Sequence, residues 1–218
     1  VRDGRYGLHF MYTDDAVVER NRLVGNSVGA YLMYGQGLRL SRNVVYGNRG
    51  PSGFGLGLKD MDDVLVEENL LADNRVGAYV DNSPRLLESS VRFTGNVFAF
   101  NDFALELMPS VRGNRFTRNS FVDNEVQLSV AGGGRLEGNL WAERGGGNYW
   151  SDYVGFDADG DGVGDVPYRS EQLYEALMDR RPLLRLFLYS PAAGAIDLAA
   201  RAFPLVRPEV KLTDPAPL

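Results

Sequence analysis

The sequence predicts an all-β chain wound as a right-handed parallel β-helix with three short strands per coil, and three observations predict it. Asparagines five apart recur at Asn21/Asn26, Asn43/Asn48, Asn69/Asn74, Asn96/Asn101 and Asn119/Asn124, in steps of 22, 26, 27 and 23 residues. Each pair encloses a short apolar stretch, such as Val44-Val45-Tyr46 or Val97-Phe98-Ala99. A strand-like segment then follows each pair: Val28–Met33, Phe54–Lys59, Val76–Asp81, Phe103–Met108 and Val126–Ala131. A unit of this length cannot bury its own apolar face, whereas stacked units can. Asparagine at a corner tolerates left-handed backbone and can bond its counterpart one coil along. A leucine-rich repeat would need a Leu-x-x-Leu-x-Leu pattern, which is absent.

Three regions follow in order. Residues 1–147 are expected to form the coils, truncated at the N-terminus, because Val1 leads straight into the strand-like Tyr6–Phe10 without an initiator Met. Variable coil length falls at loops, Arg49-Gly50-Pro51-Ser52 and Asn82-Ser83-Pro84-Arg85, where insertion is tolerated. Residues 148–170 hold an aromatic run, Asn148-Tyr149-Trp150-Ser151-Asp152-Tyr153, expected to cover the open end of the helix, and an Asp-rich loop. Residues 171–218 form a helical and Pro-rich tail. One helix is expected from Glu171 to Arg180, capped by Ser170 and stopped before Pro182, and a second from Pro191 to Phe203. From Pro204 onward no periodicity is visible, and such an end either docks elsewhere or frays.

Composition narrows the function. The net charge of −6 leaves no basic face for phosphate, which argues against nucleic acid. No run of 18 apolar residues exists, so no membrane span is predicted. With no cysteine, disulfides, thiolate zinc and thiol catalysis are excluded. Soft-metal chemistry falls to the single histidine and five methionines.

Strand alternation assigns the facing. Inward positions are Tyr6/Leu8/Phe10, Val28/Ala30/Leu32, Phe54/Leu56/Leu58, Val76/Ala78/Val80, Phe103/Leu105/Leu107 and Val126/Leu128/Val130. One outward column reads His9, Tyr31, Gly57, Tyr79, Glu106, Ser129; the next reads Met11, Met33, Lys59, Asp81, Met108, Ala131, with Met61 continuing the outward parity. Four of the five methionines thus share one exposed face with the only histidine. His9 and Met11 lie about 7 Å apart along their strand, with Met33 beside Met11 on the next coil. One imidazole nitrogen and two thioethers form a soft set that favours copper(I). The same stripe also suits adaptable docking of a partner, and the two readings are compatible.

The acidic loop places Asp157, Asp159, Asp161, the Val163 carbonyl and Asp165 at positions 1, 3, 5, 7 and 9 of a calcium loop, with Gly162 at the sharp turn. Tyr168 stands where the bidentate Glu belongs. The alternatives are a truncated calcium site and a solvated acidic turn.

The aromatic run from Gly147 to Tyr153, the loop Asp157–Asp165 with Pro167-Tyr168-Arg169, and the tail Ser190-Pro191…Ala199-Ala200-Arg201-Ala202-Phe203-Pro204 together resemble the NosD family. These are periplasmic maturation proteins of the copper enzyme nitrous oxide reductase. Gly7-Leu8-His9-Phe10-Met11-Tyr12 is similar to the family as well. The resemblance implies a non-catalytic protein beside an ABC transporter in the periplasm of denitrifying bacteria. It also implies receipt of copper from a lipoprotein chaperone, transfer toward the reductase, and anchoring of the tail on the transporter's membrane subunit. Two other functions stay open on the residues: a β-helix polysaccharide lyase or hydrolase, and a structural surface rod. The enzyme reading rests on Asp81 and Glu106 on adjacent coils near Lys59, with Tyr31 and Tyr79 free to stack on sugars.

Overall fold

A computed structural model describes residues 1–143, 146–202 and 210–218, with the side chain of Arg201 left aside. The chain is a parallel β-helix of three sheets. The first sheet stacks Tyr6–Met11, Val28–Met33, Phe54–Lys59, Val76–Asp81, Phe103–Leu107 and Val126–Val130. The second stacks Val17–Glu19, Arg39–Ser41, Val64–Glu67, Val91–Thr94 and Asn114–Thr117. The third stacks Arg22–Val24, Val44–Tyr46, Leu70–Ala72, Val97–Ala99, Ser120–Val122 and Tyr149–Trp150. Each strand pairs with its counterpart one coil away, so the repeat read from the asparagines is the coil itself.

The asparagines work through their side chains. In one ladder Asn21, Asn43, Asn69, Asn96 and Asn119 each donate backbone N–H and side-chain Nδ2 to the Oδ1 of the next asparagine, ending on Asn148. A parallel ladder links Asn26, Asn48, Asn74, Asn101 and Asn124. The left-handed backbone expected at these asparagines belongs instead to the residue before each. Arg20, Arg42, Glu68 and Arg118 precede the first ladder with φ of 54°, 55°, 52° and 55°. The corner needs the asparagine amide aimed inward, so its neighbour takes the strained conformation.

Between the sheets the core is apolar and stacked. Phe98, Phe121, Trp150 and Tyr168 form a column with ring centroids 5.1, 4.2 and 4.3 Å apart, and Phe93, Phe116 and Trp141 a second at 4.9 and 4.5 Å. Each stacked pair adds about 1 kcal/mol to its area burial.

Strand alternation fails at one position. Tyr6, Val28, Phe54, Val76, Phe103 and Val126, expected inward, face outward. Phe54 stacks on the outward Tyr79 at 4.5 Å and Tyr6 on the outward His9 at 4.6 Å. The following residues, Gly7, Gly29, Gly55, Gly77 and Ala104, point in. A Cβ on Gly29 would lie 2.7 Å from Val45 Cγ1 and 2.4 Å from the Gly55 carbonyl oxygen. The coil bends at this near-bare position, which lets the next residue point inward as well.

Met61 is also corrected. It is buried in the core, because Asp60 takes φ 51° and ends the strand alternation before it.

The tail turns back on the solenoid. The aromatic run continues the third sheet with Tyr149–Trp150. Tyr168–Ser170 then pairs antiparallel with Leu212–Asp214, so the end expected to be aperiodic forms a strand. Asp214 accepts from Asn148 N at 2.8 Å, Asn148 Nδ2 at 3.1 Å and Trp150 Nε1 at 3.0 Å, closing the first ladder. Helix α1 runs Leu173–Arg180, starting two residues later than expected. Ser170 ends its strand and does not cap the helix; Gln172 holds the cap position without a side-chain bond. A 3₁₀ helix spans Pro182–Phe187, and α2 spans Pro191–Ala202. Phe203 and the Pro-rich residues up to 209 lie outside the described residues.

Replacing Asn74 by Ala removes its Nδ2 bonds to Val45 O and Asn101 Oδ1 and the acceptor of Asn48 N and Nδ2. The expected loss is about 3 kcal/mol in urea unfolding, the cost of stranding several buried polar groups. A loss under about 1 kcal/mol contradicts the ladder's role.

Candidate functional site: the outward face of the first sheet

The outward columns have the expected register. His9 lies beside Tyr31, and Met11 beside Met33. Adjacent parallel strands stand about 4.8 Å apart, which brings the two thioethers within reach of one ion. Met11 is exposed and Met33 half-buried. Lys59 follows Met33 in the column and is paired with Asp81 at 3.2 Å. The exposed methionine row is therefore Met11 and Met33 alone. Met108 is half-buried and packs against the core, and Met61 is inside it.

His9 is exposed at the end of a run of near-parallel rings: Tyr6 at 4.6 Å and 18° on its own strand, Tyr31 at 6.3 Å and 17° on the next. Stacking engages the flat faces of the imidazole and leaves its two ring nitrogens clear at the ring edge. Among the described residues nothing hydrogen-bonds them. Burial pushes the Tyr79 phenol up to about 12 and raises that of Tyr31 too, so both are neutral at ordinary pH and offer no phenolate to a metal. Tyr12 and Tyr34, which follow Met11 and Met33 in sequence, stack on each other at 5.2 Å. The outward turn of Tyr6 was legible in the column Gly7, Gly29, Gly55, Gly77, which leaves no side chain to point either way.

In the acidic loop, carboxylate oxygens of Asp157, Asp159 and Asp161 lie within 4.8 Å of one another, all exposed. Asp157 accepts from Gly160 N at 2.7 Å and Gly162 N at 2.9 Å, and the Gly162 bond does most to hold its carboxyl below the usual range. Asp165 lies outside this trio and bonds Ala158 N at 2.7 Å; Val163 donates its N–H to Asp161 at 2.8 Å.

A family profile described as "Periplasmic copper-binding protein (NosD)" matches residues 1–155. The chain belongs to the NosD family. Curated NosD relatives include a "Probable ABC transporter binding protein NosD" of Pseudomonas aeruginosa, 38% identical over 116 residues, 53% of this chain and 26% of that protein. Another of the same description, from Stutzerimonas stutzeri, is 33% identical over 112 residues, 51% of this chain and 25% of that protein. The chain thus spans about a quarter of the length of these NosD relatives. No described helix is long and apolar enough to cross a membrane.

Two further carboxylates of this NosD-family chain, on the outward face, are engaged. Asp81 and Glu106, read as a possible hydrolytic pair, do not face each other: Glu106 stands opposite Tyr79 and is bound by Arg185 at 2.8 Å, while Asp81 holds Lys59. Tyr79 is half-covered by the tail, whose Tyr174, Met178 and Ala193 pack on Val76, Phe103 and Val126. A second carboxylate pair is wholly interior. Lys211 Nζ, on the segment leading into the last strand, meets Glu175 at 3.2 Å, Asp179 at 2.8 Å and the Leu128 carbonyl at 2.9 Å. Ser129 and Ser170 donate to Asp179 and Glu175. Two carboxylates share one cation out of water, and desolvation pushes Glu175 up to about 7 despite Lys211.

This arrangement gives the stability of this chain a pH signature. A carboxyl held above its unfolded value of 4.5 binds its proton more tightly in the folded state. Its contribution is complete below pH 4.5 and is lost as pH rises through about 7. Urea unfolding from acid to neutral pH should show this decline in wild type, and Glu175→Gln should remove it. Identical profiles for the two proteins would refute the assignment.

Proposed function

We propose that this NosD-family chain receives copper and passes it on during maturation of nitrous oxide reductase in the periplasm, without catalysing a reaction. In this reading copper(I) arrives from a lipoprotein chaperone, rests on His9, Met11 and Met33, and leaves toward the reductase. The tail docks the domain on the membrane subunit of an ABC transporter.

The observation that carries the reading is the register pair Met11 and Met33, two thioethers side by side on an outward face, with the sole histidine two residues along the same strand. Thioether and imidazole are neutral donors of matched softness for copper(I). They hold it without the grip of a thiolate, and an exposed site lets an incoming protein exchange ligands one at a time. The family description and the relatives' printed association with an ABC transporter support the setting. The enzyme reading loses its support, since its two carboxylates are spent on Lys59 and Arg185.

The Asp157–Asp165 loop is proposed to take calcium as a structural ion, with the side chains of Asp157, Asp159 and Asp161 as the first donors, Asp165 turning in, and the Val163 carbonyl completing the set. The convergence of three carboxylates supports it.

Copper(I) titration against a competing chelator should give sub-micromolar binding of one ion. His9→Ala/Met11→Ala should weaken it by about two orders of magnitude, since a lone thioether remains. Binding unchanged in that variant would sink the site. Calorimetric titration with calcium should give a dissociation constant of about 10⁻⁴ M, in the range of extracellular modules. Asp159→Asn/Asp161→Asn should abolish the heat, and an absence of heat in wild type assigns the loop to a solvated turn.

A further inference from the structure

The methionine row ends on a charge whose place is set by register. Lys59 stands opposite Met33 on one side and Asp81 on the other. Adjacent strands are about 4.8 Å apart, so Met11, Met33, Lys59 and Asp81 follow one another at even steps. Lys59 Nζ meets the Asp81 carboxylate at 3.2 Å, and the two side chains are only 34% and 22% exposed, which limits screening by water. Asp60, next to Lys59 in the chain, is bound by Asn82 Nδ2. Both acids beside Lys59, in register or in sequence, are thus engaged on the fourth coil, and the ammonium stands between them and the sulfur pair.

The ion pair is therefore a dipole with its positive end toward the methionines. Its negative end is felt on the far side. Burial does most to push the Tyr79 phenol up to about 12, and Asp81 adds more to that rise than Lys59 takes away. Outward on the first three strands of this sheet the other side chains are aromatic, aliphatic, thioether or imidazole, and no carboxylate is among them. Neutral donors leave the full charge of a bound ion uncompensated. A neighbouring ammonium then opposes a 2+ ion twice as strongly as a 1+ ion.

We infer that Lys59 is a specificity-determining residue, which biases the donors His9, Met11 and Met33 toward monovalent copper and against divalent ions. The inference rests on the copper reading of this face and deepens it. Imidazole and thioether also surround copper(II) in proteins, so the softness of the donors does not by itself fix the oxidation state held. A fixed positive charge beside them does. Asp81 has the opposite effect from one coil farther away, and it keeps the ammonium in place.

The test uses the full chain carrying Asp159→Asn/Asp161→Asn, so that the acidic loop takes no ion. It is titrated with copper(I) and with copper(II), and the reduction potential of the bound copper is measured. Lys59→Gln should narrow the preference for copper(I) about tenfold, the size of one unit charge at this range near a protein surface. That corresponds to a fall in potential of about 59 mV. Asp81→Asn should move the potential the other way, because the ammonium then acts alone, and Lys59→Arg should keep the wild-type value. Opposite signs for the two neutralising variants separate an electrostatic role from a structural one, since breaking the same ion pair would shift both alike. An unchanged potential in Lys59→Gln, or shifts of one sign in both variants, overturns the inference and leaves the copper site standing. Parent protein that takes up no copper(I) removes the site itself, and this inference with it.

Discussion

Everything in this solenoid depends on the asparagine amide at the coil corner. A parallel β-helix turns its backbone three times per coil, and each turn strands N–H and C=O groups away from the ladders. The buried amide of Asn96 shows how the cost is met: Nδ2 donates to the Val66 carbonyl one coil back, while Oδ1 takes two donors from Asn69. Each asparagine completes its neighbour, so the corner is satisfied only as a stack. That is why the residue before it carries left-handed strain of about 1–2 kcal/mol when it is not glycine. The strain is local, whereas an unpaired buried amide would break the chain of donors in both directions.

A ladder of this kind needs an end. Asn148 donates forward like every member before it, and the acceptor it meets is Asp214, brought back by the C-terminal strand. The carboxylate also takes the Trp150 indole, so one side chain closes the polar ladder and pins a ring of the aromatic column. Lys211, three residues earlier, enters the cluster of Glu175 and Asp179 on the outward side. The end of the chain therefore ties down both the inside of the solenoid and the helices that cover its outer face. The sequence offers no periodicity there, because the contacts are individual polar bonds at long range.

The coil spacing was legible because the ladder demands one residue type at one position, and the outward register of His9, Tyr31, Met11 and Met33 followed from it. What was misread came from treating each strand as a plain alternation. Gly7, Gly29, Gly55 and Gly77 hold a position too tight for a side chain, and the bend there sends Tyr6 and Phe54 outward; a repeated glycine in a strand is the signal of close backbone approach. Met61 was misplaced for a related reason, since the left-handed Asp60 ends the alternation one residue before it. The burial of Lys211 left no trace in local pattern, because a lysine inside a protein is intelligible only with its partners in view.

The candidate copper face follows from the same geometry. Stacking fixes neighbouring strands at about 4.8 Å and forbids a slip of register, since a slip of one residue would break every asparagine bond at once. Met11 and Met33 are thereby held side by side through their paired backbones, while neither side chain enters the asparagine ladders. Rigidity of backbone and freedom of side chain are what the proposed transfer would require: the donors would return to the same place after each ion left, yet the unbranched methionine chains could follow a departing ion outward. A site built on a loop would trade the first property for the second. On a solenoid wall the two coexist, because the constraint lies in the corners and the donors lie between them.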